Sequence, residues 1–135
     1  MTYLLDSSAW LAHLFGEPGV EEVNQLFADP RNDISISVLS LPEVYARLKA
    51  LGRQDQWPHV WGIYAVLFTK VISVDEAVAH QAILLREATT DRLPAIDGLI
   101  AATAVVHQLA LVHRDPHISA VPAQNLRQIR LPGGV

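Results

Sequence analysis

Apolar residues along this 135-residue chain follow two alternating rhythms. Short runs at Thr2–Leu5, Asp33–Ser37, Lys70–Val74, Leu109–His113 and Leu126–Leu131 read as strands. The first and fourth are apolar nearly throughout, as expected for strands covered on both faces of a parallel sheet. The intervening segments carry helical periodicity: Ser8–Phe15, Val20–Ala28, Leu41–Leu51, Gln54–Phe68, Asp75–Thr89 and Pro94–Gln108. In the last of these, Ile96, Leu99, Ile100, Thr103 and Val106 recur at helical spacing. Glu17-Pro18-Gly19 separates the first two helices, and Gly52 suits the left-handed position that closes the third. Strands separated by helices imply right-handed crossovers and a mostly parallel sheet. The predicted fold is therefore α/β: a single domain over residues 1–135, a three-layer sandwich with helices flanking a central sheet.

Composition narrows the function classes. Half of the residues are hydrophobic, enough for one sizeable core. No cysteine is present, so disulfides and thiolate metal sites are excluded. The apolar stretch from Leu99 to Val106 is interrupted by Thr103 and too short to span a bilayer. MTYLLDSSAW shows no basic leader, so the expectation is a cytoplasmic protein without a membrane role. A net charge of −4 argues against coating nucleic acid through bulk charge. It leaves room for a nuclease, because carboxylates that hold metal ions contribute to that charge. Arg47, Lys49, Arg53, Arg92 and Arg114 lie nearest the acidic segments and read as solvated surface.

The candidate chemistry lies in four acids. Asp6, Glu43, Asp97 and Asp115 each interrupt an apolar stretch where a strand or helix begins or ends: LLDSSAW, LPEVYARL, LPAIDGLIAATA and LVHRDPHI. Each has an ordinary explanation. Asp6 can cap a helix, and Glu43 fits a capping box with Ser40. Asp97 suits the first turn after Pro94, and Asp115 before Pro116 suits a turn. Jointly, however, these positions crowd one rim. Ligands of wound parallel sheets sit beyond the carboxyl ends of the strands, where strand order reverses. Asp6 ends the first strand and Asp115 follows the fourth, so the two are expected to meet across that point. Like charges about 4 Å apart repel by about 4 kcal/mol at an effective dielectric near 20. A hard divalent cation relieves such repulsion.

In order and context these four segments resemble the PIN-domain ribonucleases, and most closely the VapC-type toxins of bacterial toxin–antitoxin pairs. The resemblance covers essentially the whole chain and makes the expected sandwich PIN-like. It implies that the family's acidic quartet falls on Asp6, Glu43, Asp97 and Asp115. It also implies Mg²⁺ or Mn²⁺ dependence, cleavage of single-stranded RNA, a homodimer, and a cognate antitoxin that occupies the site. In that scheme Asp6 and Asp97 coordinate metal, Asp115 coordinates or supports it, and Glu43 orients or deprotonates the water. Relatives commonly carry Thr or Ser two residues before the last aspartate, where this chain has His113.

Rival readings are a receiver-like Mg²⁺-binding signalling module and a catalytically inert PIN-fold binding partner. Asp75 after the third strand favours the former, whereas Ser7-Ser8 after Asp6 and the lack of a late Lys oppose it. His113 and His117 flank Asp115 as further candidate ligands, and His13, His59, His80 and His107 are expected at the surface or an edge. Trp57, Trp61, Tyr64 and Phe68 form one helical stripe. Part of it, with Leu41–Leu51, is expected to contact the antitoxin.

Overall fold

In the computed structural model, residues 1–133 are described. Five parallel strands, β1 (Thr2–Leu5), β2 (Asp33–Ser37), β3 (Val71–Ile72), β4 (Ala110–His113) and β5 (Gln128–Arg130), form one sheet in the order β3-β2-β1-β4-β5. The chain winds from β1 outward to β3, then crosses back to β4 on the other side of β1 and ends at β5. Because crossovers keep one hand, reversing direction moves the later helices to the opposite face. The order rejects the receiver-like alternative, in which β1 would lie between β2 and β3 in a 2-1-3-4-5 sheet. Asp75 has a local role instead: its side chain accepts the Val78 N–H at the start of a helix.

Strand alternation divides the core in two. Tyr3, Leu5, Ile34, Ile36, Ala110 and Val112 face one side. There they meet helices α1 (Ser7–Phe15), α2 (Val20–Ala28), α3 (Ser40–Ala50) and α4 (Trp57–Leu67). Leu4 and Leu111 face the other side. They pack against α5 (Glu76–Ala88), α6 (Ala95–Val106) and the short α7 (Pro116–Ser119). The three-layer, single-domain α/β sandwich expected from the sequence is thus present, with its sheet wholly parallel. None of its described helices is long and apolar enough to cross a membrane.

Several boundaries differ from expectation for identifiable reasons. The segment expected as one helix over Gln54–Phe68 divides into a 3₁₀ turn, Gln54–Gln56, followed by α4. Pro58 lacks an N–H and therefore sits in the first turn of an α-helix, which sets where α4 begins. The outer strands β3 and β5 are shorter than their apolar runs because each has a neighbour on one side only. Gly19 at the start of α2 needs its glycine: φ is +103°, and an added Cβ would lie 3.1 Å from the Leu131 side chain.

The aromatic stripe turns inward. Trp10 of α1 is fully buried, and the rings of Trp57, Trp61, Tyr64 and Phe68 surround it at centroid distances of 5.2–6.2 Å. The expected partner surface is therefore largely internal, because Trp10 supplies an apolar body for the stripe to cover. His13 is half-buried at the edge of this cluster: its Nδ1 lies 2.6 Å from the Tyr64 hydroxyl and its ring packs on Phe27. What α4 leaves exposed is its opposite side, at Ile63, Val66 and Leu67.

Removal of the central ring should damage the fold more than removal of a peripheral one. Trp10→Ala is expected to cost about 3–5 kcal/mol in urea unfolding, and Trp61→Ala clearly less. Equal losses would mean that the cluster is not organised around Trp10.

Candidate active site

The site is built where β1 and β4 lie side by side. Their register pairs Leu5 with Val112, and the Asp6 N–H continues the ladder by donating to the Val112 carbonyl at 3.0 Å. The chain then turns into α1, and Asp6 caps it: Oδ1 accepts the Ala9 N–H at 2.8 Å and the Ser8 hydroxyl at 2.6 Å. The sequence-based N-cap reading of Asp6 is correct, and it places a carboxyl only 3 % exposed at the rim of the sheet. Ser8 serves both strands, since its Oγ also accepts the Arg114 N–H at 3.0 Å.

Asp115 lies two residues beyond β4 and caps α7, with Oδ1 accepting the His117 N–H at 2.8 Å. Asp97 occupies the first turn of α6 behind Pro94, as expected. Glu43 lies in the first turn of α3. The capping box expected for it is not formed among the described residues, because Ser40 is already helical and Leu39 is the cap residue. Instead Glu43 Oε1 accepts the Ser7 hydroxyl at 2.5 Å, and Ser7 Oγ also lies 2.9 Å from Ser40 Oγ. Ser7 thus connects the start of α1 to the start of α3.

Electrostatics show which carboxylates feel one another. Burial pushes the Asp6 carboxyl up to about 7, and the charges of Asp115 and Asp97 add to the rise. The Ser8 and Ala9 bonds act in the opposite sense. Burial likewise raises Asp97 to about 6, reinforced by Asp115 and Glu43 and opposed by His117. The charges of Asp115 and Asp97 thus reach Asp6, and those of Asp115 and Glu43 reach Asp97. Among the described residues, no three His, Asp or Glu side chains close around a single point as a ready-made cage. The arrangement is an open rim of oxygen donors, whose chemistry suits a hard divalent cation better than a soft one.

Three features around this rim escaped the sequence reading. Ser7 and Ser8 were weighed only as departures from another motif, although two hydroxyls directly after a capping aspartate are a usable signal. Glu17, in the turn between α1 and α2, binds the guanidinium groups of both Arg114 and Arg47. Arg114 is consequently mostly buried, and Arg47 also lies 5.5 Å over the Phe15 ring. His113 is fully buried and hydrogen-bonded to Gln128, so it faces away from open solvent. A cavity of about 660 Å³ opens between Thr2, Gln108 and Arg127, at the amino ends of the strands. Its described lining includes no carboxylate, and it lies at the opposite rim from the acids.

Comparison with known proteins gives the family. The family model for the PIN domain matches residues 3–124. No curated protein sequence matches the chain significantly. Among solved structures, VapBC2 from Rickettsia felis, bound to a DNA fragment from its promoter, is similar with a TM-score of 0.78 and 21% identity. That match covers 97% of this chain and 99% of the other. FitAcB from Neisseria gonorrhoeae gives 0.75 and 24%, over 96% and 97% of the two chains. VapBC-5 from Mycobacterium tuberculosis, a member of the VapBC family of toxin–antitoxin systems, gives 0.70 and 21%, over 96% and 98%. At such identities these structures speak for the fold, whereas the family match rests on the sequence and spans nearly all of it. The chain belongs to the PIN domain family.

Proposed function

We propose that this protein is a divalent-metal-dependent endoribonuclease and the toxin of a toxin–antitoxin pair. The observation that carries the reading is the placement of Asp6 and Asp115 at the adjoining carboxyl ends of β1 and β4, the switch point of a PIN fold, with Asp97 near enough for its charge to reach Asp6. Similarity to VapBC and FitAcB assemblies supports an antitoxin partner. RNA is the substrate, the cytoplasm the place of action, and a homodimer the assembly that this reading favours. The apolar side of α4 at Ile63, Val66 and Leu67 is available for a protein contact.

Asp6, Asp97 and Asp115 would hold Mg²⁺ or Mn²⁺ through carboxylate oxygens. When bound, the ion supplies charge neutralisation and acidification of water for attack on a phosphodiester. The protein's own groups do the rest. Ser7 fixes Oε1 of Glu43 and leaves Oε2 to orient a water or accept its proton. Ser8 and the Ala9 amide fix Asp6 Oδ1 at the start of α1 and leave Oδ2 for the ion. Glu17 holds Arg114 and Arg47 beside the rim, so that the acidic set does not repel a polyanion unopposed.

Asp97→Asn should abolish Mn²⁺-dependent cleavage of single-stranded RNA while leaving the circular-dichroism spectrum intact. Cleavage near the wild-type rate would reduce Asp97 to a helix-start residue, and an inactive wild type with Mn²⁺ would favour the inert binding partner. Glu43→Gln retains an oxygen for the Ser7 hydroxyl yet loses the charge. Turnover should then fall by about 10²-fold or more. Normal turnover would leave Glu43 with a structural role alone.

Stability in chelator gives an independent check. Unfolded Asp6 ionises near its ordinary value of 3.8, whereas the folded group does so only near 7. Below the lower value both states are protonated. Between the two values the folded state retains a proton that the unfolded state has lost, so stability falls as pH rises. Above about 7 the loss is complete, on the order of 4 kcal/mol at 1.36 kcal/mol per pKa unit. Asp6→Asn keeps the capping oxygen, so in EDTA it should melt higher than wild type at pH 8 and show a flatter pH dependence. With Mn²⁺ the order should reverse, since the ion stabilises only the wild type appreciably. A variant less stable than wild type at pH 8 in EDTA would mean that burial does not strain Asp6.

A further inference from the structure

We infer that Gln128 and His113 form a positioning relay that sets the turn carrying Asp115. The inference rests on the proposed metal site only for what Asp115 does, not for how it is held. Three bonds make up the relay. The Asp115 N–H meets His113 Nδ1 at 3.1 Å, His113 Nε2 meets Gln128 Oε1 at 2.7 Å, and Gln128 Nε2 meets the Val121 carbonyl at 3.1 Å.

One fixed donor determines all three directions. A backbone N–H can only donate, so His113 Nδ1 must carry the lone pair. The ring proton of the neutral imidazole is then on Nε2, which donates to Gln128 Oε1. That leaves the Gln128 amide nitrogen to donate, and its partner at Val121 is a carbonyl, which can only accept. No bond conflicts with another, and the tautomer follows from the network itself. The geometry of the sheet makes the relay possible. Gln128 pairs with Leu111, two residues before His113 on the adjacent strand, so both side chains project from the same face.

His113 is completely buried, so its ring nitrogens are satisfied by these partners within the protein. A side-chain acceptor bonded to the N–H two residues ahead is also what Ser, Thr or Asn supplies in an ST- or Asx-turn. His113 therefore reproduces the turn expected of a hydroxyl at this position, but with a longer side chain whose far nitrogen must be anchored. Gln128 is that anchor. It links the edge strand β5 and the Val121 carbonyl to the backbone of Asp115, whose own Oδ1 is held by the His117 amide.

The test compares wild type with His113→Thr, His113→Leu and Gln128→Leu in the full chain. Imidazole ¹⁵N shifts should show His113 as the Nε2–H tautomer in wild type and a tautomer mixture in Gln128→Leu. Hydrogen exchange of the Asp115 amide, read in EDTA, should be slow in wild type and in His113→Thr. It should be faster in Gln128→Leu and fastest in His113→Leu. Mn²⁺ affinity, read from the resonance of free Mn²⁺, should drop about 10-fold in His113→Leu and stay near wild type in His113→Thr. Both His113 variants lose packing and should melt lower, so a purely structural role would affect them alike. Equal amide exchange in the Thr and Leu variants, or an unchanged tautomer in Gln128→Leu, overturns the relay. If wild type binds no Mn²⁺ but the tautomer and exchange results hold, the relay stands and the metal reading fails.

Discussion

The position of β1 between β2 and β4 constrains everything else in the molecule. β1 is the central strand of the sheet, and the residue that follows it is buried as well. Here the next residue is Asp6, whose N–H still belongs to the β1–β4 ladder while its side chain begins α1. A carboxyl in that position needs donors, and the amides at the start of the helix together with the Ser8 hydroxyl provide them. Those donors do not fully offset desolvation, as the rise in its pKa shows. The fold therefore holds at its rim a carboxyl whose charged form it disfavours.

α1 transmits that constraint in both directions. Its first residues hold Asp6, Ser7 and Ser8; its middle buries Trp10 among four aromatic rings; and His13 near its end meets Tyr64. Rings packed edge-on or tilted at these distances leave a helix little freedom to rotate. The aromatic cluster thus orients the capping end as well as filling the core, and Ser7 extends that order to Glu43 on α3. On the other side of the switch point, β5 and its Gln128 perform a comparable service for the end of β4. Both supports are remote from the carboxylates, yet each ends on a residue next to one.

Two charged arrangements near the rim have different physics. Glu17 bridges Arg114 and Arg47 across the mouth of the α1–α2 turn. The Arg114 pair is mostly withdrawn from solvent, so its two partners hold each other in register. The half-exposed Arg47 pair contributes little to stability. Among the described residues, by contrast, no cationic side chain is ion-paired with Asp6, Glu43, Asp97 or Asp115. Arg114 and Arg47 are instead paired with Glu17, so the four acids keep their oxygens free of ion pairs.

Much of this was legible in the residues. Apolar runs in β1 and β4 announced a sheet covered on both faces, and helical spacing between them announced crossovers. The placement of Asp6, Asp97 and Asp115 at helix starts followed from local propensity, which acts over a few residues and needs no knowledge of the fold. The capping box at Glu43 was misread because Ser40 has a more distant partner in Ser7, 33 positions away. The inward turn of Trp57, Trp61, Tyr64 and Phe68 was invisible because their periodicity says only that they share a face. Trp10, on another helix, decides what that face meets. His113 reads in sequence as a candidate ligand beside an aspartate, and only the register of β4 with β5 brings Gln128 to it. Short-range pattern is written in the order of residues, whereas partners separated by whole elements depend on winding and register, which arise only when the sheet closes.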